Sequence, residues 1–244
     1  MVLLISSIAP ALIIMYLIYK QDLDKEPSQM LVKAFFGGFL AIAITLVIAL
    51  PLGMFESAVP SGFLRSFYKA FFCAGIPEEF AKWLIFYWLI KKAPHFDQYY
   101  DGILYAIFIS MGFALVENIL YVMPRGIGVA FIRAVVSVPG HMLFVIPMGY
   151  YLSLSKFEQG KEAANYRMLS LVIPMLLHGT FDFILMYMGA KASISPLLAG
   201  LLVIAFVAFD IYLWRFGLKK IKQHLAKDKS FVFKDSTSTE ETLD

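Results

Sequence analysis

The sequence predicts an all-α polytopic membrane protein with about seven transmembrane helices, its N-terminus outside and its C-terminus inside, and a polar pocket in the outer half of the membrane. Three observations carry that prediction. The 244 residues are 60% apolar and only 16% charged, and the mean hydropathy of +0.73 lies far from the balance of a water-soluble domain. Apolar runs of about 20 residues, the length that crosses a hydrocarbon core about 30 Å thick, recur along the whole chain. The few ionisable residues inside those runs also fall at similar depth.

The runs are 2–19, 30–54, 67–90, 99–123, 129–154, 167–190 and 195–216. The first, "VLLISSIAPALIIMYLIYK", has neither a basic leading region nor a small-residue cleavage site before Lys20, so it reads as a retained span and not as a cleaved signal. The second holds no acid. The third carries Glu78, Glu79 and Lys82 after Pro77, and the fourth carries Glu117 and Asn118. The fifth has His141 after Pro139 and Gly140, and the sixth has His178 and Asp182 beyond Pro174. The seventh holds Asp210 near its cytoplasmic end, too far from the others to join them. Residues 20–29, 91–102 and 155–167 are loop-sized polar stretches. Residues 1–216 thus form one membrane-embedded unit without internal repeats. Residues 217–244 form a basic and then polar cytoplasmic tail, expected as a short helix followed by a disordered end.

Orientation follows from Lys and Arg in the loops. With the N-terminus outside, the cytoplasmic side receives Lys20, Lys25, Lys33, Lys91, Lys92, Lys156, Lys161, Arg167 and the basic residues of the tail; the other side receives Arg65, Lys69, Arg125, Arg133 and Lys191. The asymmetry also accounts for the pI near 8.8 without a nucleic-acid partner; the basic tail suits anionic lipid. Cys73 is the single cysteine, which excludes an intramolecular disulfide and a cysteine metal cluster and leaves the thiol a packing role.

Ionisable groups inside a bilayer are costly and face a protein interior or a watery cavity. The topology places Glu78, Glu79, Glu117, His141, His178 and Asp182 in one layer below the outer face. Glu78 with Lys82, Phe113 with Glu117, and His178 with Asp182 are each four residues apart, so each pair shares a helix face. Pro77, Pro139 with Gly140, and Pro174 interrupt helices near these groups, and such interruptions are tolerated where they line a cavity. Blander explanations exist for each group alone. Pro77 followed by two acids is an ordinary helix start, Glu117 with Asn118 serves as interhelical glue, and His141 or the His178–Asp182 pair serves packing. Four such explanations at one depth are less economical than one pocket.

Three acids and two histidines, with no Ser or Cys beside a base, point to activation of water and not to a covalent nucleophile. Two adjacent acids near Lys82 can be driven into different protonation states, so one serves as base while a histidine steadies an oxyanion or protonates a leaving amine. Glu78, Glu79, Glu117, His141 and His178 also suit a divalent metal such as Zn2+, although the HExxH spacing is absent. The sequence leaves metal-bound and metal-free water both open. A proton- or cation-coupled transporter uses the same residue types, but its usual repeated halves are missing.

"PEEFAK" (77–82), "GFALVENILY" (112–121), "HMLF" (141–144) and "HGTFDF" (178–183) resemble, in order and in their assignment to separate spans, the motifs of the PrsW family of bacterial membrane proteases, itself similar to the CAAX prenyl protease superfamily. The resemblance covers about residues 20–190. It implies an enzyme of the bacterial cell membrane that makes the first, extracytoplasmic cut in a single-span anti-sigma factor under envelope stress. By resemblance Glu78 and Glu79 are the essential acid pair, with Glu78 the choice for the base, and His141 and His178 are the third- and fourth-motif histidines. Glu117 stands where CAAX-type enzymes have histidine, which makes a metal site easier to accommodate. Lys82, Asn118 and Asp182 are expected to support these five.

Overall fold

The computed structural model describes residues 1–89, 91, 93–190 and 195–240, with side chains up to residue 230. No strand occurs among them, and the helices form seven consecutive crossing segments. These are α1 (Val2–Gln21), α2 (Ser28–Gly53), then α3 (Phe63–Tyr68) continued through a π-helical stretch, Lys69–Gly75, into α4 (Ile76–Leu89). α5 (Tyr99–Arg125) follows, then α6 (Ile127–Ile132) continued through π-helical Arg133–Ser137 into α7 (Val138–Phe157), and finally α8 (Gly160–Gly189) and α9 (Pro196–Glu240). Six segments are long and apolar enough to cross a membrane; the third reaches about 40 Å when its three parts are taken together. The seven apolar runs of the sequence each have their helix.

The two π stretches share a local cause. Each ends two residues before a proline, Pro77 in one case and Pro139 in the other. A proline inside a helix lacks the N–H for its i−4 carbonyl and crowds that carbonyl with its ring. One wider i→i+5 turn relieves the clash while the helix continues, and such bulges recur at functional sites. Pro77 is therefore no helix start: Glu78 and Glu79 sit in mid-helix, just past a bulge, which removes the bland explanation of the acid pair.

α5 is apolar on nearly every face and lies at the centre of the bundle, packed by α1, α2, α4, α7 and α9, with Ile103, Leu104, Ile107, Ile109 and Met111 buried. It approaches α2 at Gly38 and Gly112 and α7 at Gly102 and Gly149; a methyl group on any of the four would run into facing backbone. Small residues at crossing points let backbones touch, which is how helices associate where no hydrophobic drive separates lipid from protein.

α9 runs on without a break across residue 216, where the tail was expected to begin. Beyond that point Ile221, His224 and Asp228 are buried. The Asp228 carboxylate accepts hydrogen bonds from the backbone N–H of Tyr99 (2.8 Å) and Tyr100 (2.9 Å), which are first-turn donors of α5. His224 Nε2 donates to the Tyr150 carbonyl at 3.0 Å. Lys92 and Lys191, both counted in the charge asymmetry, and the last four residues of the tail lie outside the described residues.

Candidate active site

α4 supplies three side chains to the bundle interior. Glu79 and Lys82 are wholly buried, and Glu78 nearly so. Lys82 Nζ donates to Glu79 Oε1 at 2.7 Å and lies 3.6 Å from Glu78 Oε2. It also stands 3.2 Å from His141 Nδ1 and 4.2 Å above the centre of the Phe113 ring. An ammonium has three donors and no acceptor; here they meet a carboxylate and an imidazole, with an aromatic face beneath.

α8 brings His178 against the same acids. Its Nδ1 is 2.9 Å from Glu79 Oε1, and its Nε2 lies 3.5 Å from Asp182 Oδ2 and 3.9 Å from Glu78 Oε2. The Phe144 ring stacks on His178 at 4.6 Å and 18°, and His141 meets it edge-on at 5.3 Å and 87°. The approach depends on two glycines: a methyl at Gly75 would come within 2.8 Å of Gly179 N, next in sequence to His178. The π stretch that ends at Gly75 and the glycine after His178 thus set the distance between the two helices.

The third group hangs from α5. Glu117 Oε2 accepts from His141 Nε2 at 2.7 Å and from Arg133 Nη2 at 2.8 Å. Arg133 Nε donates to Asn118 Oδ1 at 2.8 Å, and Asn118 Nδ2 donates to the Ser7 carbonyl on α1 at 2.8 Å. Because Lys82 can only donate, His141 Nδ1 is the acceptor of that contact and Nε2 carries the proton given to Glu117. Ser110 Oγ ties α7 to α5 by donating to the His141 carbonyl at 2.9 Å.

All eight residues singled out in the sequence, Glu78, Glu79, Lys82, Glu117, Asn118, His141, His178 and Asp182, therefore form one connected network. Asp210 has no hydrogen bond or ion pair to it among the described residues. Arg133 is the addition. It was counted as an outer-loop charge, yet it is buried and holds both Glu117 and Asn118. Its signal was present, since it lies within the fifth apolar run, where a charge needs a partner.

The same residues fit a divalent metal in chemistry and spacing. Glu78, His141 and His178 can each offer one ligand atom, all within 4.8 Å of one another, and one carboxylate with two imidazoles suits zinc and related ions. Glu78 Oε2 is buried with no hydrogen-bond partner. With His178 Nδ1 held by Glu79, its Nε2 would be the ligand atom, and Glu79 would orient that imidazole as carboxylates orient metal-binding histidines. His141 would have to exchange Lys82 or Glu117 for the ion.

Sequence comparison gives the same chemistry a family. The profile described as "PrsW family intramembrane metalloprotease" matches residues 26–212. Protease PrsW of Bacillus subtilis is 36% identical over 219 residues, covering 89% of this chain and 93% of that protein. Protease PrsW of Clostridioides difficile is 36% identical over 236 residues, 93% of each chain. Protease PrsW of Oceanobacillus iheyensis is 38% identical over 203 residues, 82% of this chain and 91% of that one. No solved structure gives a significant match. A peptidase replaces the transporter alternative, and with spans, motifs and relatives in agreement, the chain belongs to the PrsW family of intramembrane proteases of bacterial membranes.

Proposed function

We propose that this peptidase makes the first, extracytoplasmic cut in a single-span membrane protein of the anti-sigma-factor class, with Glu78 as the group that takes the proton from the attacking water. One observation carries the assignment to Glu78. Glu79 Oε1 is engaged by both Lys82 and His178 and its side chain is sealed, whereas Glu78 makes no hydrogen bond among the described residues, only longer ion-pair contacts to the same two groups, and its side chain keeps 11% exposure. A base has to be reachable and uncommitted before it can bind water within hydrogen-bond distance.

Glu79 then serves as the fixed counter-charge that holds Lys82 and His178 in place. His178 Nε2, between Glu78 and Asp182, is suited to steady the developing oxyanion or to protonate the leaving amine. His141, anchored by Glu117, lines the other side. A divalent metal held by Glu78, His141 and His178 would instead commit Glu78 as a ligand and would itself supply polarisation of water and of the scissile carbonyl. Glu117 lies eight residues before the end of α5, about 12 Å along the axis, and the loop charges make that the outer end; this supports cleavage on the extracytoplasmic side.

The test is cleavage of a tagged single-span substrate with an extracytoplasmic domain, by purified wild type and by Glu78→Gln, each with and without chelator. Cleavage by wild type alone is the expected result. Cleavage retained in Glu78→Gln would overturn the role of Glu78, and loss of wild-type cleavage in the chelator lane would assign the water to a metal.

A further inference from the structure

A second acidic cluster lies at the opposite end of the bundle, between the α1–α2 turn and the start of α5, remote from the proteolytic network. Glu26, Asp97 and Asp101 each offer an oxygen, and these lie within 4.8 Å of one another. Glu26 and Asp101 are buried, and Asp97 is exposed. Asp101 Oδ2 accepts from the backbone N–H of Asp97 (3.1 Å) and Gln98 (2.6 Å). Its other oxygen, Oδ1, is buried without a hydrogen-bond partner, on a carboxyl group in contact with that of Glu26. Asp22, also buried, adds a fourth acid that repels Glu26.

Two lysines approach the cluster, and Lys156 feels the charge of all three acids, but neither donates a hydrogen bond to them among the described residues. Lys25 Nζ donates to the carbonyls of Tyr19 (2.7 Å), Lys20 (3.3 Å) and Asp22 (2.6 Å). Lys156 Nζ donates to the Ala93 carbonyl at 3.4 Å and lies over the Phe96 ring. Neither forms an ion pair with these carboxylates among the described residues. Glu26 and Asp101 are both buried, and burying two neighbouring carboxyl groups carries a cost that a bound positive charge relieves.

We propose that Glu26, Asp97 and Asp101 bind one hard divalent cation, of the Mg2+, Mn2+ or Ca2+ class, and thereby clamp the α1–α2 turn to the start of α5. Ligands that are all oxygen select hard cations over zinc, which separates this site from the histidine-containing one. Exposed Asp97 gives the ion an entry path and leaves room for water ligands. Buried donors orient the rest: Tyr105 donates its hydroxyl to Glu26 Oε2, and the backbone holds Asp101, the outer support that metal carboxylates need. A proton shared by Glu26 and Asp101 would satisfy that pair alone and leave Asp22 Oδ1, also buried without a hydrogen-bond partner, as it is.

The experiment titrates Mn2+ into the purified full-length protein in detergent, following free Mn2+ by electron paramagnetic resonance, for wild type, Asp97→Asn, Glu26→Gln and Glu78→Gln. Asp97 is exposed, so its variant tests the site without threatening the fold. The expected result is one Mn2+ site that wild type shares with Glu78→Gln, with affinity at that site at least about tenfold weaker in Asp97→Asn and in Glu26→Gln. Mn2+ should also raise the thermal unfolding midpoint of wild type and of Glu78→Gln more than that of Asp97→Asn. Unchanged Mn2+ binding in Asp97→Asn and Glu26→Gln, or no binding that survives Glu78→Gln, would overturn the proposal and leave the cluster as proton-sharing acids.

Discussion

Lys82 donates to Glu79 across 2.7 Å with both side chains at 0% exposure, an ion pair sealed inside the helix bundle. Removing one partner of a buried pair strands the other's charge and costs about 3–5 kcal/mol, whereas removing both together is far less damaging. Lys82→Met and Glu79→Gln should each lower stability in detergent by that order, and the double variant should be more stable than the sum of the two losses. Denaturant unfolding of the three variants measures the coupling; strict additivity would show that the pair is not interacting.

Glu78 behaves differently because it carries no hydrogen bond that folding depends on. Glu78→Gln should change the unfolding midpoint little and lower cleavage by on the order of 10²–10⁴-fold, the usual worth of a positioned acid–base group. A combined stability and activity measurement separates this from Glu79→Gln, which should lose both together.

Arg133 contacts Glu117 and Asn118 through two different nitrogens, a use of the planar guanidinium that an ammonium cannot copy. Arg133→Met should lower turnover by about tenfold or more through the misplacement of Glu117 and, behind it, His141. Arg133→Lys should restore part of that turnover. Equal activity in all three proteins, measured at matched expression, would make Arg133 a packing residue.

The Gly75–Gly179 contact sets the spacing between the acid pair and His178. Gly75→Ala puts a methyl within 3 Å of backbone on α8, where no side chain can swing aside, and overpacking of this kind costs about 1–3 kcal/mol. The variant should unfold at lower temperature and cleave more slowly, while Gly53→Ala, where nothing lies within 4 Å, should do neither.

Asp228 caps α5 from a distance of over a hundred residues in sequence. Asp228→Ala should destabilise the protein by about 0.5–2 kcal/mol, as the loss of an N-terminal cap does, and truncation after residue 216 should cost at least as much. A truncated protein as stable as the full chain would mean that the docked part of the tail contributes nothing.

The crossing segments were legible because a bilayer demands about 20 apolar residues per span whatever the fold, and the members of the candidate site were legible as a group that meets because ionisable residues are rare in such runs and conspicuous when present. Arg133 was misassigned because charge counting takes every basic residue near a span end as loop. Its burial depends on Glu117 and Asn118 arriving from α5, which no local rule reports. The course of α9 past residue 216 was hidden for a related reason. A polar, basic sequence reads as solvated tail until Asp228 meets the backbone N–H groups of Tyr99 and Tyr100.

By itself the sequence determined the helical class, the seven crossings, the family motifs and the eight polar residues that meet. Each follows from composition or from spacing along a single helix. Only the tertiary structure decided which acid is sealed and which is reachable, that both prolines follow π turns in continuous helices, that Arg133 belongs to the network, and that a second acidic cluster forms from two distant loops. The reason is that hydropathy and periodicity act within one segment, whereas a side chain's partners are fixed by how neighbouring helices are rotated and how closely their glycines let them approach.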